Sequence, residues 1–191
     1  MANYNAPLND MHFVLFDVLK AHSLSECPGY EDATEEMIRA VLDEAAKMSE
    51  NVLQPINQIG DIEGCQYDPE TKLVTTPTGF KEAYKIFAQG GWSGLSASPA
   101  YGGQGLPHLL KIVVDEMACS TNLSMGMYPG LSHGAIDALT LHASDELKDA
   151  YLPKLISGEW TGTMCLTEPQ CGTDLGLIRT KAEPQADGSY E

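Results

Sequence analysis

The residues whose types and spacing could do chemistry crowd into one stretch, Cys165 to Gly176, "CLTEPQCGTDLG". It carries two thiols, two carboxylates, two hydroxyls and two glycines. A reactive or metal-binding thiol needs a nearby cation or further ligands to hold it as thiolate. Cys165 and Cys171 flank Pro169 with nothing basic between them, so cysteine chemistry is not expected. Glu168 and Asp174 read as an acid pair, but a loop holds such a pair poorly and neither has a visible partner. What remains is backbone and hydroxyl. Gly172 lacks the side chain that would keep a ligand off the main chain, and Thr173 and Thr167 each supply a hydroxyl donor. A row of N–H groups with two hydroxyls at a sheet rim suits a polyanionic or heteroaromatic ligand. From composition alone, an ordinary strand–loop–strand connection is the competing reading.

Other candidates are weaker. "YGGQG", residues 101–105, lacks the Gly-Lys-Ser/Thr ending and the preceding strand of a phosphate loop, and reads as a flexible connector. None of the five histidines pairs with a Cys or acid at metal-ligand spacing, so no metal site is expected. Cys27, Cys65, Cys119, Cys165 and Cys171 are odd in number and form no C-x-x-C pair. A disulfide framework is therefore not expected, and a reducing, cytoplasmic setting follows. A net charge of −16 argues against a nucleic-acid surface or a polybasic membrane patch. No apolar run approaches a membrane span, and the N-terminus lacks the features of a targeting segment.

The elements that must position the quoted stretch are mostly helical. Met11, Val14, Leu15, Val18 and Leu19 keep helical spacing after Asn9 and Asp10. Asp32 and Thr34 open a longer helix with Met37, Ile38, Val41, Leu42, Ala45 and Val52 on one stripe, ending before Pro55. Residues 55–77 read as loop with one short strand, Leu73 to Thr75. Thr78 caps the next helix, which Gly90 and Gly91 stop. A helix from Leu109 to Met117 follows, then a broken helix interrupted at Pro129, then a short one capped by Ser144. Past residue 158 the pattern changes. "EWTGTMCLT" and "IRTKAEPQ" alternate as strands, and Asp187-Gly188 signals a hairpin whose return strand has no room. The expectation is a piece of a longer protein.

"MCLTEPQCGTDLGLIRTKA", residues 164–182, resembles the flavin-binding motif of acyl-CoA dehydrogenases. Cys165, Leu166, Thr167, Glu168, Gly172, Thr173 and Asp174 match that motif in order. Cys171 stands where Gly, Ala, Ser or Asn is usual, and Leu177 where a small residue is usual. "DELKDAYLPKLISGEWTGTMCLTEP" is similar to the family's run from the last N-terminal helix into its middle β-domain, and "YGGQGLP" to a loop of its helical domain. The opening "YNAPLNDMHFVLFDVL" resembles the extra N-terminal segment of a large-subunit subgroup that includes enzymes acting on methylthiopropanoyl-CoA.

The resemblance implies a mainly α fold: a helical-bundle domain followed by the first strands of a truncated β-barrel domain. The implied division is an extension helix over 1–30, the helical domain over 31–158 and the start of the β-domain over 159–191. It implies FAD as cofactor and α,β-dehydrogenation of an acyl-CoA thioester. Met164, Leu166, Thr167, Gly172 and Thr173 would line the flavin, with Thr167 donating toward the ring's N5/O4 edge and Thr173 reaching both pyrophosphate and acyl-CoA. The catalytic base is expected beyond residue 191, not at Glu168, so this stretch alone is expected to be inactive. The Met and Gly content of Met125 to His133 suits an adaptable wall of the acyl pocket, and an ordinary helix junction accounts for it equally well. Implied partners are the acyl-CoA substrate, an electron-transfer flavoprotein or similar acceptor, and further copies in a homodimer or homotetramer. An acyl-CoA oxidase, or a non-catalytic helical module on the same fold, are the alternatives.

Overall fold

The computed structural model describes residues 3–191. Of the 1–30 segment, residues 1 and 2 lie outside the described residues. Among the described residues, seven α-helices form the body: α1 (Leu8–His12), α2 (Glu35–Met48), α3 (Gln54–Glu63), α4 (Phe80–Gln89), α5 (His108–Thr121), α6 (Leu123–His142) and α7 (Asp145–Ile156). The mainly α expectation holds.

Helix α1 runs on as a wide turn over Phe13–Val18 and buries Met11 and Leu15 of the expected stripe together with Phe16, whereas Val14, Val18 and Leu19 stand exposed because the widened turn shifts the helical phase. These residues join Ile38, Leu42 and Ala45 of α2 and Leu110, Val114 and Met117 of α5 in the largest of three apolar clusters. The Arg39 guanidinium lies 4.4 Å from the centre of the Phe16 ring, covering the edge of that cluster. Thr34 caps α2 as expected, its hydroxyl accepting from the Met37 N–H at 3.2 Å.

Three expectations fail, for related reasons. The α2 helix does not end before Pro55: it widens over Ser49–Leu53 and continues as α3 to Glu63. The widened turn puts Pro55 in the first turn of the next segment, where a missing N–H costs least. Pro129 does not break α6, which is continuous over twenty residues with Pro129 buried inside it. The lost rung, worth about 3 kcal/mol, is outweighed by packing against α5 and α7. Thr78 does not cap α4; Gly79, at φ 86°, holds that position without a side-chain bond.

The polar cap of α6 reaches further than its own helix. The Asn122 side chain is buried, accepts from the Met125 N–H at 3.2 Å and donates to the Leu53 carbonyl at 3.2 Å. One amide thus joins the α5–α6 corner to the wide turn between α2 and α3.

Between α3 and α4 the chain makes a two-residue antiparallel ladder, β1 (Gln66–Tyr67) with β2 (Val74–Thr75). Asp68 organises its turn by accepting from Glu70 N and Thr71 Oγ1. The 92–107 segment is not a loose connector. Gln104, Gly105 and Leu106 donate to Gly94, Ala97 and Leu95 at 2.9–3.0 Å, and a Cβ on Gly103 would meet the Ala97 carbonyl oxygen at 2.1 Å.

Candidate functional site

The quoted stretch leaves the helical body through a defined exit. Gly158, at φ 75°, turns the chain after α7, and its carbonyl accepts from the Tyr84 hydroxyl at 2.9 Å. Trp160 packs on α7, with the Lys154 ammonium 4.4 Å from its ring centre and Tyr151 5.8 Å away. Gly162 then lies against α6: its N–H donates to Ser132 Oγ at 3.0 Å, and a Cβ there would stand 2.8 Å from the Ala135 methyl. Only a glycine lets the main chain pass that close.

Beyond Gly162 the chain runs extended without a neighbouring strand. Among the described residues, the expected strand 159–167 takes no strand partner and 178–185 pairs only at its end, where Pro184 bridges Tyr190, because no third strand is at hand to complete a ladder. Among the described residues, the main-chain groups of 163–167 take no backbone partner. The expected hairpin does close: Glu183 and Glu191 exchange backbone hydrogen bonds at 3.0 and 3.1 Å around Asp187 and Gly188.

Between the extended runs the loop is shaped by its own polar groups. Glu168 and Cys171 exchange backbone bonds of 3.0 Å each, closing a tight turn over Pro169 and Gln170. The Glu168 carboxylate accepts from Arg179 N at 3.0 Å, Thr180 N at 2.9 Å and Thr180 Oγ1 at 2.6 Å, and also from Gln170 Nε2. The Thr180 hydroxyl first, then the backbone N–H groups, pull its pKa down to about 2. An ionised carboxylate so fully occupied is a poor proton acceptor. Asp174 caps the next turn, accepting from Gly176 N at 3.1 Å.

Each expected contact residue has a clear setting. Met164 is 67% exposed and Leu166 41%. Thr167, Gly172 and Thr173 are exposed, and among the described residues neither threonine hydroxyl makes a hydrogen bond. A Cβ on Gly172 would meet nothing within 4 Å, and its φ is not positive. Nothing in this chain therefore demands glycine there, while an approaching ligand would. Free hydroxyls, free main chain and an open glycine on one exposed loop fit a flavin with its pyrophosphate. Gly162 links this run to α6 through Ser132 and Ala135.

Cys171 is the surprise. It is 2% exposed, the one buried side chain between residues 160 and 191, and its thiol approaches the Asp174 carbonyl at 3.0 Å. It fills the inside of the loop. Sequence reasoning missed that role, and missed Glu168 and Thr180 as the loop's clasp. Two of the bonds come from the Arg179 and Thr180 main-chain N–H groups, which any residue offers, so residue type gave little signal. Ser132 as the anchor of Gly162 left no signal at all.

Helix α6 supplies two surfaces. Met125 and Tyr128 line a cleft of about 620 Å³ together with Pro77, Phe80, Lys81 and Tyr84, where Tyr84 and Tyr128 meet edge to face at 5.3 Å. Met127 and Leu131 stand exposed. His133 packs beside Lys111 and Asp115 of α5; burial first, then the Lys111 charge, pushes its pKa down to about 4.

Comparison with known proteins places the chain. Residues 32–159 match the family model described as acyl-CoA dehydrogenase, N-terminal domain. Over 187 residues the chain is 39% identical to a 3-methylmercaptopropionyl-CoA dehydrogenase of Ruegeria pomeroyi, covering 98% of this chain and 32% of that protein. The structure of butyryl-CoA dehydrogenase from Megasphaera elsdenii is similar over 80% of this chain and 38% of that one, at TM-score 0.66 and 25% identity. PigA, solved with FAD and proline, shares the fold over 80% of this chain and 37% of its own, at TM-score 0.63 and 22% identity. The chain spans about a third of the length of the curated relatives it matches.

Proposed function

Since the chain belongs to the acyl-CoA dehydrogenase family, we propose that it forms the N-terminal portion of an FAD-dependent enzyme that dehydrogenates the α,β C–C bond of an acyl-CoA thioester. The observation that carries this is the loop 164–174, where two free hydroxyls and an open glycine face outward on a self-clasped frame. FAD, when bound, would supply the two-electron acceptor. Thr167 would donate a hydrogen bond to the ring, and Met164 and Leu166 would give it an apolar wall. Thr173 would donate to the pyrophosphate and face the acyl-CoA, with Gly172 admitting both. The exposed Met127 and Leu131 side chains of α6 would form part of the acyl wall.

The division into 1–30, 31–158 and 159–191 is proposed on the same basis, the body ending where Gly158 turns the chain. The carboxylate that removes the α-proton is proposed to lie in later residues, so the 191-residue stretch alone would be inactive. The partners proposed are acyl-CoA, an electron-transfer flavoprotein as acceptor, and further copies in a homodimer or homotetramer. The setting is cytoplasmic, in keeping with five unpaired cysteines. No helix among the described residues is long and apolar enough to cross a membrane.

The test uses the protein from the complete reading frame. It is expected to purify yellow and to bleach when an acyl-CoA is added without oxygen. A colourless protein that FAD cannot reconstitute sinks the reading. Thr173→Ala is expected to weaken FAD retention more than Cys165→Ala, whose thiol is exposed; Cys171 is no neutral reference because it is buried.

A further inference from the structure

We propose that Glu168 is the positioning residue of the flavin loop: its carboxylate ties the base of the loop shut and so presents Thr167 and Thr173 together. This rests on the flavin reading above. Thr167 is its immediate neighbour, and Thr173 lies inside the segment it closes. The bonds span eleven and twelve residues, to the Arg179 and Thr180 N–H groups and the Thr180 hydroxyl, with Gln170 as a fourth donor. A carboxylate offers about four acceptor sites on two oxygens, and here all are used. Oε1 takes both Thr180 donors, while Oε2 takes Arg179 and Gln170.

The alternatives for an exposed acid fit less well. A base or metal ligand would keep an oxygen lone pair free, and this carboxylate has none to spare. A merely solvating side chain would not collect three bonds from residues so distant in sequence. Closing a loop of this length carries an entropic cost. The other closures lie within residues 168–178, namely the Glu168–Cys171 turn, the buried Cys171, the Gln170 amide reaching the Leu177 carbonyl and the turn that Asp174 caps. Direct bonds from the 168 end to Arg179 and Thr180 come from the carboxylate alone. Remove it and the 172–177 crown loses its fixed base, and with it the common placement of the two threonines.

The substitutions separate the parts of this account. In Glu168→Gln the amide NH2 faces N–H donors instead of accepting from them, at unchanged size. Thr180→Val removes one of the four bonds and keeps the shape. Both are made in the protein from the complete reading frame, and three quantities are read: FAD dissociation constant, visible circular dichroism of bound flavin, and amide hydrogen exchange over 172–177. Glu168→Gln is expected to weaken FAD about tenfold or more, to change the flavin dichroism and to speed exchange at 172–177. Thr180→Val is expected to weaken FAD about threefold with the same signature, while melting temperatures of the apoproteins stay together. An FAD constant within twofold of the parent and unchanged exchange in Glu168→Gln overturns the proposal. So does a loss of FAD that tracks global melting while the dichroism of the bound fraction is unaltered. If the parent protein itself binds no FAD, the flavin reading has failed and the proposal built on it falls too; exchange at 172–177 still reports whether the clasp exists.

Discussion

Two regions of this molecule are ordered in different ways. The body from α1 to α7 is held by apolar burial in three clusters, with Leu42, Leu53, Met117 and Leu152 fully enclosed. The segment after Trp160 buries one side chain, Cys171, and owes its shape to carboxylates that grip backbone N–H groups: Glu168, Asp174 and Asp187. Apolar packing makes a structure that stands by itself. Local polar clasps make one that is shaped beforehand yet keeps its outward groups free, as suits the ligand surface proposed above.

The contrast can be broken by experiment, and the sharpest blow is a cavity. Leu42→Ala in α2 is expected to cost about 2–5 kcal/mol, read by denaturant unfolding. Leu166→Ala in the extended run should stay within about 0.5 kcal/mol. Comparable costs would mean that the two regions share one core.

Acid should separate them next. His133 is held near 4 against an ordinary value of 6.5, so the unfolded chain takes up this proton first. Its contribution is whole above pH 6.5, falls as pH drops from 6.5 to 4, and is flat below. Lys111, Asp115, Asp137 and His108 are the charged neighbours that face it. Glu168 is also depressed, to about 2 from 4.5, so the clasp is whole above pH 4.5 and is lost as pH falls toward 2. Body stability should therefore weaken in a higher pH window than loop exchange protection. Unfolding midpoints against pH, beside exchange at Arg179 and Thr180, decide the order; a His133→Gln body with an unchanged slope between pH 6.5 and 4 would refute the first half.

Asn122→Ala tests whether the body has a polar joint of its own. It leaves the Leu53 carbonyl buried without its partner and removes a helix cap, an expected loss of about 1–3 kcal/mol, measured by thermal melting. Ser132→Ala is the mildest: it frees the Gly162 N–H, with a cost of about 1 kcal/mol confined to the exit. Faster proteolysis at 161–167 with an unchanged melting temperature is the expected outcome.

Legibility in the sequence follows the same division. Stripes such as Ile38, Leu42 and Ala45 announce a buried face because burial and helical period coincide, and Thr34 and Ser144 announce caps because capping is a local bond. Pro55 and Pro129 misled, since what carries helix past them is packing and a widened turn, neither of which is written at the proline. In the site, Thr167, Gly172 and Thr173 stood out by type and spacing. The pairing of Glu168 with Thr180 and the burial of Cys171 did not, because they depend on the path of the loop in three dimensions.

The widened turn at Ser49–Leu53 carries a consequence for insertions and deletions. A helix advances about 100° per residue, so the turn sets the side chains of α3 out of phase with those of α2 by one step. Excising a single residue while the turn tightens to an unbroken α-helix would leave the phase of α3 nearly unchanged and keep Ile56 beside Phe87 and Met125, with which it shares a core; tightening the turn at full length would instead rotate everything after it. Elsewhere on the surface a one-residue gap is absorbed by a loop. Here the widened turn absorbs it as well, whereas a one-residue gap in the regular turns of α2 or α3 would scramble the inside and outside of an entire helix, so the wide turn marks where this long helix tolerates a change of length.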